Sequence, residues 1–258
     1  MLNKYQRKSV FNKEGELLPI EQRTFTTNEG YTLVLINGGS KRNRVAFKIE
    51  DYESETSFTQ VEKGTVKYPY HPSVFGVGYV GVGKHIIREK EGKLTPSYDV
   101  WRSMLARGYS VDYNSRHLSY KDVTVCKEWH NYQVFAEWFT TEANYQKGWH
   151  LDKDLLIKDN KLYSPETCLF IPQELNKFMT NIKSNNTSGY PGVCWDKESN
   201  KWLATINSVK YGKKVKLGRF KDIKEAGEAY SEARKIECST WVGRMEHILP
   251  NEALNNLT

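Results

Sequence analysis

Asp152, Asn176 and His150 are residue types that could do chemistry on a phosphate ester, provided the chain brings them together. Carboxylate and amide oxygens are hard ligands. They suit Mg²⁺ or Mn²⁺ and leave coordination positions open for water and a phosphate oxygen. An imidazole, with an ordinary pKa of about 6.5, can take a proton from water near neutral pH. Residues 149–179 predict an order that would juxtapose them: a strand over Trp149–Leu155, a loop through Asp159, Asn160, Ser164 and Pro165, a second strand over Cys168–Ile171, and a helix from near Pro172 that holds Asn176. Period-two alternation puts His150, Asp152 and Asp154 on one face of the first strand. Asp154 is either a third ligand or a partner for a lysine, and His150 is either a proton acceptor or a strand-end residue without a role.

A second pattern concerns binding. Tyr190–Trp195, Lys201–Asn207 and Lys213–Phe220 alternate with period two and are separated by short turns carrying Asn200 and Gly212. Trp202, Ala204 and Ile206 fall on one face, and Lys201, Leu203, Thr205 and Asn207 on the other. In the third run Val215 and Leu217 point one way, and Lys214, Lys216 and Gly218 the other. Asp222 can cap a following helix, and Glu225 completes a D-x-x-E box. Ala226, Ala229, Tyr230 and Ala233 give that helix a stripe of mostly small residues for close approach to the apolar sheet face. Residues 189–221 hold eight Lys/Arg against two acids, Asp196 and Glu198. A cationic pleated face suits phosphate neutralisation in a nucleic-acid groove, and a solvated basic surface is the plainer alternative.

Tyr-x-Gly-Val at 190–193, Lys-Trp-x-Ala-x-Ile at 201–206, Leu-Gly-x-Phe at 217–220 and Ala-x-x-Ala-Tyr at 226–230 resemble the plant ethylene-response-factor (Apetala-two) DNA-binding domain, and more particularly its bacteriophage relatives. The resemblance implies a three-stranded antiparallel sheet on one helix, with the face opposite the helix set in the major groove of double-stranded DNA. The contacts it implies come from Thr205, Asn207, Lys213, Lys214, Lys216, Arg219, Lys201 and Trp195. Pro191 and Cys194 stand where the plant domain has arginines, so its base preference is not carried over.

Tyr120-Lys-Asp-Val-Thr-Val-Cys-Lys-Glu-Trp129 and Tyr163-Ser-Pro-Glu-Thr-Cys168, taken with the strand-strand-helix order of 149–179, resemble HNH-type homing endonucleases of bacteriophage. Several of these join a ββα-metal nuclease to an ethylene-response-factor type domain. That likeness covers residues 97–181 and implies a Mg²⁺ (or Mn²⁺) ion held by Asp152 and Asn176. Its general-base position is filled by Lys153 and its central asparagine position by Thr167. A free lysine, with a pKa of about 10.4, is protonated at neutral pH. Lys153 could therefore act as base only if desolvation or nearby cations lowered its pKa, or else stabilise transition-state charge, leaving His150 to substitute. Cys126 and Cys168 occupy positions where the likeness also has cysteines, but two thiols alone do not make a zinc site.

The fold expected is α+β and modular: a small β-rich unit over 1–96, helices and a ββα-metal core over 97–182, and the sheet-and-helix module over 183–258, reached by the polar tether 183–188. Residues 1–20 read as an irregular arm. Thr32–Ile36 and Val45–Ile49 read as strands joined by a basic turn over 38–44, with Phe58–Val61 and Val66 completing the β unit. Gly76–Gly81 matches GxGxxG but lacks the strand, helix and acidic residue of a dinucleotide site, and reads as a turn. Val100, Trp101, Met104 and Leu105 form one apolar helical stripe, and Val134, Phe135, Trp138 and Phe139 another. Trp241 and Met245 could pack back on the last module or trail. The net charge of +7 fits an anionic partner. No run approaches the roughly 20 apolar residues of a membrane span and the start is not that of a signal peptide, so a cytoplasmic protein without a membrane partner is expected, in the host cell if phage-encoded. Four irregularly spaced cysteines fit free thiols in a reducing compartment. Three readings follow: a Mg²⁺-dependent DNA endonuclease, a DNA-binding or regulatory protein that keeps the nuclease scaffold without catalysis, and a phage factor that binds a host protein.

Overall fold

Alternating apolar and polar residues build a four-stranded antiparallel meander near the start of the chain, in a computed structural model that describes residues 16, 18–19, 22–37, 44–179 and 186–257. Its strands β1 (Thr24–Thr26), β2 (Thr32–Asn37), β3 (Arg44–Ile49) and β4 (Tyr52–Ser57) lie in sequence order. Phe25, Leu33, Leu35, Phe47 and Ile49 bury one face together with Val61 and Val66. Phe58–Val61, expected to be extended, belongs instead to the short helix α1 (Phe58–Glu62). Ser57 accepts the amide of Gln60 and starts the helical turn, which local alternation could not reveal. The basic turn 38–43 and most of the arm lie outside the described residues. Gly76–Gly81 is an irregular turn with Gly76 and Gly81 at positive φ, and no helix starts from it. These segments form one compact unit, Met1–Lys84 with Asn131–Gln133.

The second unit, His85–His130 with Val134–Thr258, contains the 97–182 segment apart from Asn131–Gln133, together with the C-terminal module. Helix α2 (Pro96–Tyr109) buries Trp101, Met104 and Leu105. It is followed by α3 (Val111–Arg116), the two-residue strand β5 (Thr124–Val125) and helix α4 (Tyr132–Thr141). Phe135, Trp138 and Phe139 of α4 are buried, whereas Val134, expected in the same stripe, is exposed. Trp129, Trp138 and Phe170 continue this aromatic core, with Trp129 and Trp138 ring centroids 4.6 Å apart. Strands β6 (Trp149–Asp152) and β8 (Leu169–Pro172) pair antiparallel, β7 (Leu162–Tyr163) pairs parallel with β5, and helix α5 (Gln173–Met179) follows β8 directly.

The C-terminal sheet has the order β11-β10-β9 and is antiparallel throughout, with β9 (Val193–Asp196), β10 (Lys201–Ser208) and β11 (Lys213–Phe220). Helix α6 (Ile223–Met245) starts at Asp222, whose carboxylate accepts the Lys224 amide. Its first half lies on the sheet, where Ala226 packs with Val193 and Ala204. A Cβ on Gly227 would overlap the Tyr190 ring, so close approach requires glycine there. At 23 residues the helix is about 34 Å long and outruns the sheet. Its second half contributes Trp241 and Met245 to a cluster with Leu155, Leu169, Ile171 and Leu175, closed by Leu249, Ala253, Leu254 and Leu257 around helix α7 (Asn251–Asn255). The end of the chain therefore packs on β6, β8 and α5 rather than trailing. Among the described residues no helix is long and apolar enough to cross a membrane. Trp241→Ala should cost about 3–5 kcal/mol in urea unfolding. A loss below ~0.5 kcal/mol, the scale of surface substitutions, would mean that this end of α6 adds nothing to the fold.

Candidate functional site

Strand β6 stops at Asp152 because the side chain stops it. Asp152 Oδ1 accepts the amides of Asp154 (3.0 Å) and Leu155 (2.7 Å), an Asx turn that bends the chain where a longer strand was expected. The carboxylate is thereby fixed, and among the described residues Oδ2 has no hydrogen-bond partner. Burial raises the Asp152 pKa above the ordinary aspartate value, as does Asp154 more weakly, against the pull of the two amides and Lys153. In the register, His150 lies opposite Ile171 and Asp152 opposite Leu169, so both occupy the face that α5 covers through Leu175. The His150 imidazole is held below its usual pKa first by burial and then by Arg107 and Lys177, with Glu174 opposing. Asn176 sits on α5, which packs against both β6 and β8. Strand, strand and helix thus follow in the expected order with β7 between the two strands, and His150 and Asp152 share one face of β6, against which the Asn176-bearing helix α5 packs.

Lys153 is placed differently. Its side chain is buried, and its ammonium donates to Asp154 Oδ1 (2.6 Å) and to the carbonyl of Asn160 (2.5 Å). Asp154 is consequently a lysine partner beyond the strand's end, not a third residue on its face. Asn160 completes the closure: Nδ2 donates to the carbonyls of Lys153 (2.9 Å) and Leu162 (2.6 Å), and Oδ1 accepts the Leu162 amide. Thr167 holds a separate turn, accepting the Ser164 amide and donating to the Leu162 carbonyl. Asn160, read from sequence only as part of a loop, is therefore the asparagine that organises the connection. Cys126 and Cys168 have pKa values pushed up by burial to about 11 and about 12, which keeps both thiols protonated at neutral pH. Among the described residues no group of three or more His, Cys, Asp or Glu side chains could hold a metal.

Sequence reasoning also missed Arg107. Its Nη1 lies 3.4 Å from the Leu151 carbonyl and 3.3 Å from the Tyr163 hydroxyl, and its guanidinium lies 5.8 Å from the centre of the Tyr120 ring. The signal was available, since an arginine three residues beyond the core residue Met104 falls on the buried face of α2.

On the C-terminal sheet the register settles which side chains share a face. Thr205 pairs with Lys216, Asn207 with Lys214, Leu203 with Arg219 and Cys194, and Lys201 with Asp196, all on the side away from α6. A bulge at Leu217 reverses the parity, moving Gly218 opposite Ala204 on the helix side and bringing Arg219 outward. Trp195 is opposite Trp202 on the helix side, and Lys213 opposite buried Ser208 on that same side, so neither shares the face of Lys214 and Lys216. Thr205 Oγ1 bonds the Gly192 carbonyl at 3.2 Å. Arg219 Nε meets Asp196 Oδ2 at 2.7 Å, and this hydrogen-bonded pair lowers the Asp196 pKa to about 2. Lys214, Lys216 and Asn207 are exposed, and among the described residues neither lysine forms an ion pair.

No protein-family model, curated protein or solved structure matches the chain.

Asp152→Asn should preserve the Asx turn, because an amide oxygen also accepts, while removing a buried charge. A carboxyl with a raised folded pKa favours folding below its unfolded pKa, and that contribution is lost as pH rises through the folded value. Without added metal the variant should therefore melt at or above the wild-type temperature at pH 7, and the difference should shrink on acidification. A markedly lower melting temperature at pH 7 would contradict this account.

Proposed function

We propose that the chain binds double-stranded DNA on the outer face of the β9–β11 sheet and uses the β6–β8 hairpin with α5 as an HNH-type, ββα-metal phosphodiesterase core. The DNA-binding part is carried by one observation. Lys214, Lys216 and Asn207 stand exposed on one sheet face whose opposite face is sealed by α6. Lysines on a pleated surface neutralise phosphates, and the intervening Thr205 and Asn207 offer donors and acceptors to base edges.

The cleavage part rests on His150 and Asp152 sharing a strand face beside α5. A fixed, buried carboxylate with one oxygen uncommitted fits a hard divalent cation, and Asn176, on the helix packed against β6, would add an amide oxygen. Asp152 and Asn176 would hold Mg²⁺ (or Mn²⁺), which when bound supplies Lewis-acid stabilisation of charge on phosphate oxygens. His150, below its usual pKa and so neutral at pH 7, takes the proton of the attacking water. Water's oxygen bonds to phosphorus, and the ester P–O bond breaks with its electron pair leaving on the ester oxygen. Lys153, tied to Asp154 and Asn160, is not the base. That same commitment of Lys153 favours a second reading, DNA binding without cleavage on a retained scaffold.

Lys214→Ala with Lys216→Ala should weaken duplex binding and flatten the plot of log K against log salt by about 2, one unit per lost phosphate contact. An unchanged slope would remove the sheet as the contact surface. In a supercoiled-plasmid assay with Mg²⁺, wild type should nick and Asp152→Ala should be slower by roughly 100-fold or more, the scale of losing one transition-state stabilising group. Undiminished nicking by Asp152→Ala would exclude this site. Binding without nicking in Mg²⁺ or Mn²⁺ would leave the second reading.

A further inference from the structure

Arg107 is a largely sequestered cation whose local partners answer its hydrogen bonds and not its charge. Its Nη1 meets a carbonyl and a phenol, those of Leu151 and Tyr163, and its planar group lies over the Tyr120 ring. Among the described residues it forms no ion pair. Asp152 and Asp154 lie within electrostatic range of Tyr120, yet neither pairs with the guanidinium. The carbonyl end of α2, where Arg107 sits in the last turn, offsets part of the charge. A guanidinium withdrawn from water without an anion is costly, and a site that retains one is poised to receive an anion. The placement supports this: the Leu151 carbonyl that Arg107 meets at 3.4 Å belongs to β6, one residue before Asp152. Tyr113, 5.6 Å from Tyr120 between ring centres, extends the aromatic wall toward α3.

We propose that Arg107 anchors an anion subsite beside Asp152, walled by Tyr163 and Tyr120, that takes one phosphate of a nucleic-acid strand. The guanidinium fork matches two phosphate oxygens at once, which a lysine cannot do. The inference deepens, and rests on, the reading of this site as one that cleaves phosphodiesters. Arg107 would hold the strand while Asp152 and Asn176 serve the reacting group.

The test is a titration of the full chain without divalent metal, read by NMR of arginine Nε–Hε groups, with the Arg107 signal assigned by its loss in Arg107→Lys. One arm adds the dinucleotide dTpdT and the other inorganic phosphate. The Arg107 signal should shift saturably with dTpdT, and more weakly with phosphate. A signal unmoved by either, or moved by phosphate alone, overturns the assignment to a nucleic-acid backbone. In parallel, Arg107→Gln should lower kcat/KM for plasmid nicking by about tenfold or more, and Arg107→Lys should fall between it and wild type. Tyr163→Phe, which keeps the charge, should lose less than Arg107→Gln. If the wild type nicks, Arg107→Gln nicks equally well and the signal is static, this inference fails and the cleavage reading survives. If the wild type never nicks but Arg107 responds to dTpdT, the subsite stands and the cleavage reading falls.

Discussion

The peptide group of Val209, in the turn between β10 and β11, is gripped on both sides by one helix. Glu237 Oε2 accepts its amide at 2.7 Å, and Arg244 donates to its carbonyl at 2.8 Å. Glu237 is buried, so removing it would orphan a buried N–H and cost its desolvation, about 1–3 kcal/mol. These bonds hold the sheet's distal turn to the half of α6 that has already left the sheet. Arg234, between them and the sheet, donates to the Phe178 carbonyl and sits 4.4 Å from the centre of its ring, tying the same helix to α5. One helix thus carries the lysine-bearing sheet and braces the hairpin of His150 and Asp152. A duplex held by the sheet would meet that hairpin in a register set by α6, and remote binding energy could then position a phosphate.

Around Asp152 the same logic operates at short range. The turn after β6 is fixed by Asp152 itself, by the Lys153–Asn160 closure, and by Asn256 near the chain's end, whose amide donates to the carbonyls of Leu155 and Leu156. Asn144 brackets Phe170 on β8, giving and taking one backbone bond. Side chains locked by a surrounding shell lose little freedom when a ligand arrives, which is what a preorganised site needs. Lys153 belongs to that shell. A cation there serves the loop's geometry, and under the proposed reading the chemistry would come from the strand face.

What could be read from residues and what could not divides along local and non-local lines. The second and third C-terminal runs, the turns at Asn200 and Gly212 and the cap at Asp222 are local patterns and are present, whereas the first run, expected over Tyr190–Trp195, is a strand only over Val193–Asp196, with Gly192 at positive φ before it. The early end of β6 depends on one side chain choosing its own backbone, and alternation is blind to that. The bulge at Leu217 is likewise invisible to period-two counting, yet it decides that Arg219 faces outward and Gly218 inward. The length of α6 and the docking of 239–257 depend on partners more than 60 residues away in sequence, Leu155 and Leu175 among them. Asn160 was missed because its role is defined by backbone groups, which carry no residue signature, whereas Arg107 was legible from its spacing to Met104 on α2.

The outer sheet face is not uniformly cationic, and the difference matters. Arg219 is held by Asp196, which stays ionised well below neutral pH, whereas Lys214 and Lys216 are unpaired among the described residues. The Arg219 side chain is 43 % exposed in that pair and solvent screens it, so exchanging Asp196 for a phosphate would change the free energy of Arg219 only slightly. The pair instead fixes the direction of the guanidinium across β10 before any partner arrives. Affinity that depends on salt should then reside in the two lysines, and orientation in Arg219. Under the proposed DNA-binding reading, such a face would attract a phosphate backbone through its lysines and meet it with the Arg219 fork already aimed.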